Sequence, residues 1–147
     1  MRADASCGPA LEDEFHPWSG FEHDWLGVDL QGNVAVFTTA GFDPVPAAVD
    51  QHLADVDAAL DWVGQLPVIG LACDTVGAAG DYPDWDAYSA KGFYAYDWQG
   101  QENGGPYRRL SSPAVPISVG QLPAEIRAVA QLAEFPLKFA DEPEITF

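Results

Sequence analysis

No lysine or arginine occurs between Ala3 and Ala90, yet that stretch holds sixteen acids: Asp4, Glu12, Asp13, Glu14, Glu22, Asp24, Asp29, Asp43, Asp50, Asp55, Asp57, Asp61, Asp74, Asp81, Asp84 and Asp86. Binding to nucleic acid or to an anionic membrane needs a basic footprint, so both are excluded as expected partners. No apolar run approaches the roughly 18 residues of a membrane span. The N-terminal Met1-Arg2-Ala3-Asp4-Ala5-Ser6-Cys7 lacks the apolar core of a signal peptide, so a cytoplasmic address is expected. Cysteine is scarce: Cys7 and Cys73 are the only two, and in a cytosolic chain they read as free thiols and not as a disulfide framework.

The usual marks of chemistry are missing as well. His16, His23 and His52 fit neither a His-Glu-x-x-His nor a paired-cysteine spacing, and Asp81, Asp84 and Asp86 lack the alternating ligands and placed glycine of a calcium loop. No metal or cofactor is therefore expected. Ser19 and Ser89 have no nucleophile elbow, and Gly70, Gly77 and Gly80 do not form a phosphate-cradling loop followed by lysine. Cys73 stands beside Asp74, whose carboxylate disfavours a thiolate, so it reads as a core cysteine. Acidic pairs are so abundant that none can be singled out as a general acid and base without geometry.

What is present is a folding sequence. In 147 residues with a formal charge of −17, 48% are hydrophobic, and five Trp, eight Phe and five Tyr supply a core that a disordered acidic chain would lack. Residues 1–22 show no sustained period and read as a loosely structured acidic lead-in; residues 23–147 read as one domain. Residues 25–30 and 34–39 flank Gln31-Gly32-Asn33 as a hairpin. Val49, Leu53, Val56, Leu60 and Val63 recur at spacings of four and three, which predicts a helix over residues 46–65. The apolar run Val68-Ile69-Gly70-Leu71-Ala72-Cys73 suits a buried strand or an extended core segment.

Further along, Pro83 opens a short helix that carries Trp85 and Tyr88 and ends at Gly92. Phe93 to Trp98 and Tyr107 to Leu110 read as aromatic-rich partner strands around the Asn103-Gly104-Gly105-Pro106 loop. Arg108 and Arg109 would point to opposite faces there, one of them meeting a local acid. Leu122, Ile126, Val129 and Ala133 mark a second amphipathic helix after Pro123, and the tail reads as a last short strand or coil. The fold class is α+β: a single domain with a small, mostly antiparallel sheet packed with two amphipathic helices.

Two functional readings follow from the residues. Asp50, Asp57 and Asp61 share one face of the first helix, with Trp62 nearby, and would form a contact surface for a basic protein partner. Alternatively, Tyr94, Tyr96, Trp98 and Tyr107 would line the pocket of a small enzyme or ligand-binding protein. The acidity also fits a surface that only keeps the protein soluble in a salty cytosol.

The passages Asp24-Trp25-Leu26-Gly27-Val28-Asp29 and Gly32-Asn33-Val34-Ala35-Val36-Phe37-Thr38-Thr39-Ala40-Gly41, followed by Pro44 and Pro46, resemble small bacterial proteins akin to the immunity proteins of polymorphic-toxin systems. Gly92-Phe93-Tyr94-Ala95-Tyr96-Asp97, Tyr107-Arg108-Arg109, Pro113, Pro116 and Leu122-Pro123 extend the resemblance to residues 24–123. It implies a single-domain α+β protein that binds a toxin domain and blocks it without doing chemistry.

Overall fold

The computed structural model describes residues 24–39, 45–74, 83–98 and 106–146. The expected acidic lead-in, Cys7, His16, His23, Asp81 and residues 99–105, which include Asn103, Gly104 and Gly105 of the expected loop, lie outside them. Strands β1 (Asp24–Val28) and β2 (Val34–Thr38) form the expected hairpin. Its turn is organised by Asp29, whose Oδ1 accepts the backbone amides of Gln31 and Asn33, each at 2.9 Å. Helices α1 (Ala47–Asp50) and α2 (Leu53–Gly64) follow, then β3 (Ala72–Asp74), α3 (Pro83–Ala90), β4 (Tyr94–Trp98), β5 (Tyr107–Pro113), α4 (Ala124–Ala130) and β6 (Glu144–Ile145).

The class is α+β, and the sheet is mixed. Strand order is β1-β2-β4-β5-β3, with β6 also on β5; every pairing is antiparallel except β2 with β4. A parallel pair needs a long crossover, and here α1, α2, β3 and α3 supply it.

Core side chains pack on both sheet faces, because side chains alternate along each strand. On one face Trp25, Phe37 and Tyr96 stand in register and stack, with ring centroids 4.3 and 5.1 Å apart. The segment after α4 covers them. It runs beside β1, joined by Val28 N to Ala133 O, Phe135 N to Val28 O and Leu30 N to Leu137 O, and brings Phe135 and Phe139 against Phe37. Gly27 makes this possible: a Cβ there would sit 2.6 Å from the Phe135 ring. On the other face Leu26 and Val36 join Leu53, Val56 and Val63 of α2 and Ile126 and Val129 of α4 in the buried core.

Two expectations need correction. The helix over residues 46–65 is two helices, separated at Gln51 and His52, where His52 leaves helical geometry at φ −131° and ψ 35°. The His52 amide still bonds back to Val49 O, so the three-and-four spacing runs through the break and hides it from a periodicity argument. The run over residues 68–73 is not buried: Val68 is 68% and Leu71 76% exposed, and Cys73 is an exposed free thiol. Strand β3 is a three-residue edge strand paired, among the described residues, with β5 alone. A short apolar run carries no information about which layer covers it.

Candidate functional site

Because β2 and β4 are parallel and β1 runs opposite to β2, the start of β1 and the ends of β2 and β4 share one rim of the sheet. Register places Asp24 beside Thr38 and Thr38 beside Asp97, three polar side chains in a row on the helix-bearing face. Helix α3 packs over this rim and adds Asp84, Trp85 and Tyr88. The result is an open cleft of about 720 Å³, whose lining also includes Thr39, Gly64, Lys91 and Trp98. The carboxyl ends of parallel strands are where open sheets with crossover helices hold their ligands.

Hydrogen bonds fix the row. Trp85 Nε1 donates to Thr38 Oγ1 at 3.0 Å, and Thr38 Oγ1 donates to Asp97 Oδ1 at 2.6 Å. Tyr88 donates its phenol proton to Asp24 Oδ2 at 2.6 Å. Burial first, and then the Asp24 carboxylate, push the Tyr88 phenol far above its usual range, so Tyr88 remains a neutral donor. Each aspartate thus has at least one oxygen tied to a donor that belongs to the fold. Trp98 borders the cleft, but its ring, one position on from Asp97, turns to the other sheet face and lies 5.1 Å from that of Tyr107 in the aromatic core.

Lys91 is the one cation in the described lining, and its ammonium is directed elsewhere. It donates to Gly64 O at 2.9 Å and Val63 O at 3.2 Å, capping the carboxyl end of α2. Gly92, which follows, has φ +103°, and a Cβ there would lie 2.7 Å from Ile117 Cβ and 2.9 Å from its amide nitrogen. Only glycine allows the chain to turn from α3 into β4 at this point, and that turn positions Asp97 opposite α3. No serine, cysteine or histidine lines the cleft among its described residues. The arrangement offers fixed acceptors and aromatic surface, which suits holding a cation more than forming a covalent intermediate.

The residues expected from the sequence fall in several places. Asp57 and Asp61 are exposed one turn apart on α2, and Asp50 is exposed on α1, across the helix break. Trp62 is 44% exposed and lies on the other flank of α2, in a groove of about 410 Å³ formed with α4 and shared with His52, Asp55, Glu125 and Leu132. His52 Nδ1 is 2.8 Å from Ala48 O. Tyr94, Tyr96 and Tyr107 are buried in the aromatic core, and the Tyr96 hydroxyl donates to Glu142 O at 2.6 Å and lies 3.1 Å from Phe139 O. Of that quartet, Trp98 alone lines the cleft. Arg108 and Arg109 do diverge: Arg108 pairs with Glu144 at 3.3 Å, and Arg109 donates to Phe139 O.

The sequence reading missed Asp24, Thr38 and Asp97 as a site. Thr38 and Asp97 are 59 positions apart and meet only through the parallel pairing. The signal within reach was Asp84, Trp85 and Tyr88 on a short polar helix with too few apolar positions to need two large aromatic rings for its own packing. No family model matches the chain, and no curated protein or solved structure matches it.

Proposed function

We propose that the chain is a non-catalytic binding protein for a basic protein partner, with the rim cleft as the place where a cationic side chain of that partner is held. The carrying observation is the convergence of Asp24, Asp84 and Asp97 with Trp85 in one open cleft on a molecule of charge −17. Carboxylates attract the cation and aromatic rings bind it more strongly once water is displaced. Exposed Asp57 and Asp61 on α2 would add long-range steering, which acts on the rate of encounter. Neutralising a basic toxin domain is the role that the sequence resemblance implies for such a protein.

The test is differential capture from the native cytosol at low and high salt, using the wild-type chain and an Asp84→Asn/Asp97→Asn variant. A specific basic protein held by the wild type and lost by the variant supports the reading. Co-expression of that protein with each form then asks whether growth is restored by the wild type alone. Equal capture by both forms removes the cleft from the interface. A second reading, a small cationic ligand, is favoured by a cleft volume within the range of small-molecule sites. It predicts a dialysable cation that protects Trp85 from chemical modification with no protein present.

A further inference from the structure

We propose that a second copy of this chain docks on the outer edge of β3 and the uncharged face beside it, the two β3 strands pairing antiparallel about a two-fold axis. This surface is separate from the rim cleft. The edge is the first observation: among the described residues β3 pairs with β5 alone. Leu71 O accepts the Ala114 amide at 2.9 Å, and Pro113, opposite Ala72, has no N–H to give, so the hydrogen-bonded positions of the ladder are Leu71 and Cys73. The backbone N–H and C=O of Ala72 and Asp74 therefore point away from β5. Such an outward row is a template for another strand.

Charge decides which strand it receives. In a chain of formal charge −17, residues 62–73 and 110–124 contain no charged residue, and the two stretches meet at this edge through the bond between Leu71 and Ala114. Val68, Leu71 and Val115 are 68, 76 and 48% exposed there, an apolar patch beside open backbone. A basic partner gains nothing from a neutral face, whereas two copies that repel each other elsewhere can approach on it. A two-fold axis lets one patch serve both sides. The register centred on Cys73 pairs Ala72 of each copy with Asp74 of the other and uses every outward group; one centred on Asp74 would set two acidic residues opposite each other. Ser111 turns to α3, where its hydroxyl donates to Asp86 at 2.7 Å, so Ser112 and its register partner Cys73 turn to the other face, with Leu71. Leu71 then stands diagonal to Cys73 of the second copy. The two Cys73 residues form a non-hydrogen-bonded pair with Cα atoms about 4.5 Å apart. So short a pairing makes a weak, exchanging dimer, with a dissociation constant of about 0.1 mM.

The experiment is sedimentation of the full chain at concentrations up to about 1 mM, at low and at physiological salt. The expected result is a monomer–dimer equilibrium that tightens at least about five-fold between about 10 and about 150 mM salt, because screening relieves the repulsion between like-charged copies. Ala72→Pro removes an outward N–H and no bond to β5, and Leu71→Glu puts like charges on both sides of the axis. Each should weaken the dimer at least about ten-fold, with circular dichroism and thermal unfolding confirming that both variants fold. In a Cys7→Ser background, diamide should link the two Cys73 thiols, which lose two protons and two electrons to its azo bond as the S–S bond forms. Ala72→Pro should slow that linkage at least about five-fold. A monomer up to about 1 mM leaves the edge to an extended segment of another protein, or to none, and overturns the proposal. A dimer unchanged in both variants lies on another surface and overturns it too, as does a dimer that weakens with added salt.

Discussion

At the scale of single residues, the least replaceable carboxylate is one that touches no ligand. Asp29 is 5% exposed and accepts three backbone amides, those of Gln31, Asn33 and Phe139, so it joins the hairpin turn to the C-terminal arm. Asp29→Ala leaves three donors without their acceptor and should cost about 3 kcal/mol in urea unfolding; Asp29→Asn, which keeps one accepting oxygen, should cost about half as much. Tyr88 gives a pH signature. Its phenol pKa is raised in the folded state by burial and by Asp24, so above pH about 10 the unfolded chain has lost a proton that the native state retains, and stability falls as pH rises. The Tyr96 phenol, raised mainly by burial, works in the same direction. Tyr88→Phe should be less stable at pH 8, having lost its bond to Asp24, and should show a shallower alkaline decline; a decline as steep as in the wild type would remove Tyr88 from its cause.

At the scale of elements, what the sequence revealed and what it hid divide by range. The β1–β2 hairpin was legible because Asp29 to Asn33 carries its own turn chemistry, and α4 because Ile126 and Val129 repeat on one side after Pro123. The break between α1 and α2 was hidden by a bond that preserves the period. The exposed run at Val68 to Leu71 was misread because hydrophobicity alone does not show whether a strand is at an edge. The cleft was illegible because it exists only after β2 and β4 pair in parallel, a contact that no local pattern encodes. Two predictions belong here. Lys91→Met should remove the cap on α2 and lower stability by about 1 kcal/mol without altering the sheet. Asp57→Lys with Asp61→Lys should slow association with the proposed basic partner several-fold at low salt and leave dissociation nearly unchanged; an unaltered association rate would show that α2 takes no part in steering.

At the scale of the whole molecule, a charge of −17 opposes compaction by self-repulsion and favours any basic partner. Screening is largely complete once the Debye length falls below the spacing of surface charges. Raising salt from about 10 to about 150 mM should therefore lift the melting temperature by a few degrees, with little further gain. A melting temperature that climbs steadily into molar salt would instead mark the acidity as salt adaptation.

The proposed function places a basic group at the sheet rim and not on the helical surface around Trp62. The indole N–H signals of Trp85, Trp62 and Trp25 give separate reporters for the cleft, the α2–α4 groove and the core. In a two-dimensional amide spectrum titrated with a Gly-Arg-Gly peptide, the Trp85 indole peak should move while those of Trp62 and Trp25 stay in place. Movement of Trp62 with Trp85 unmoved would contradict it.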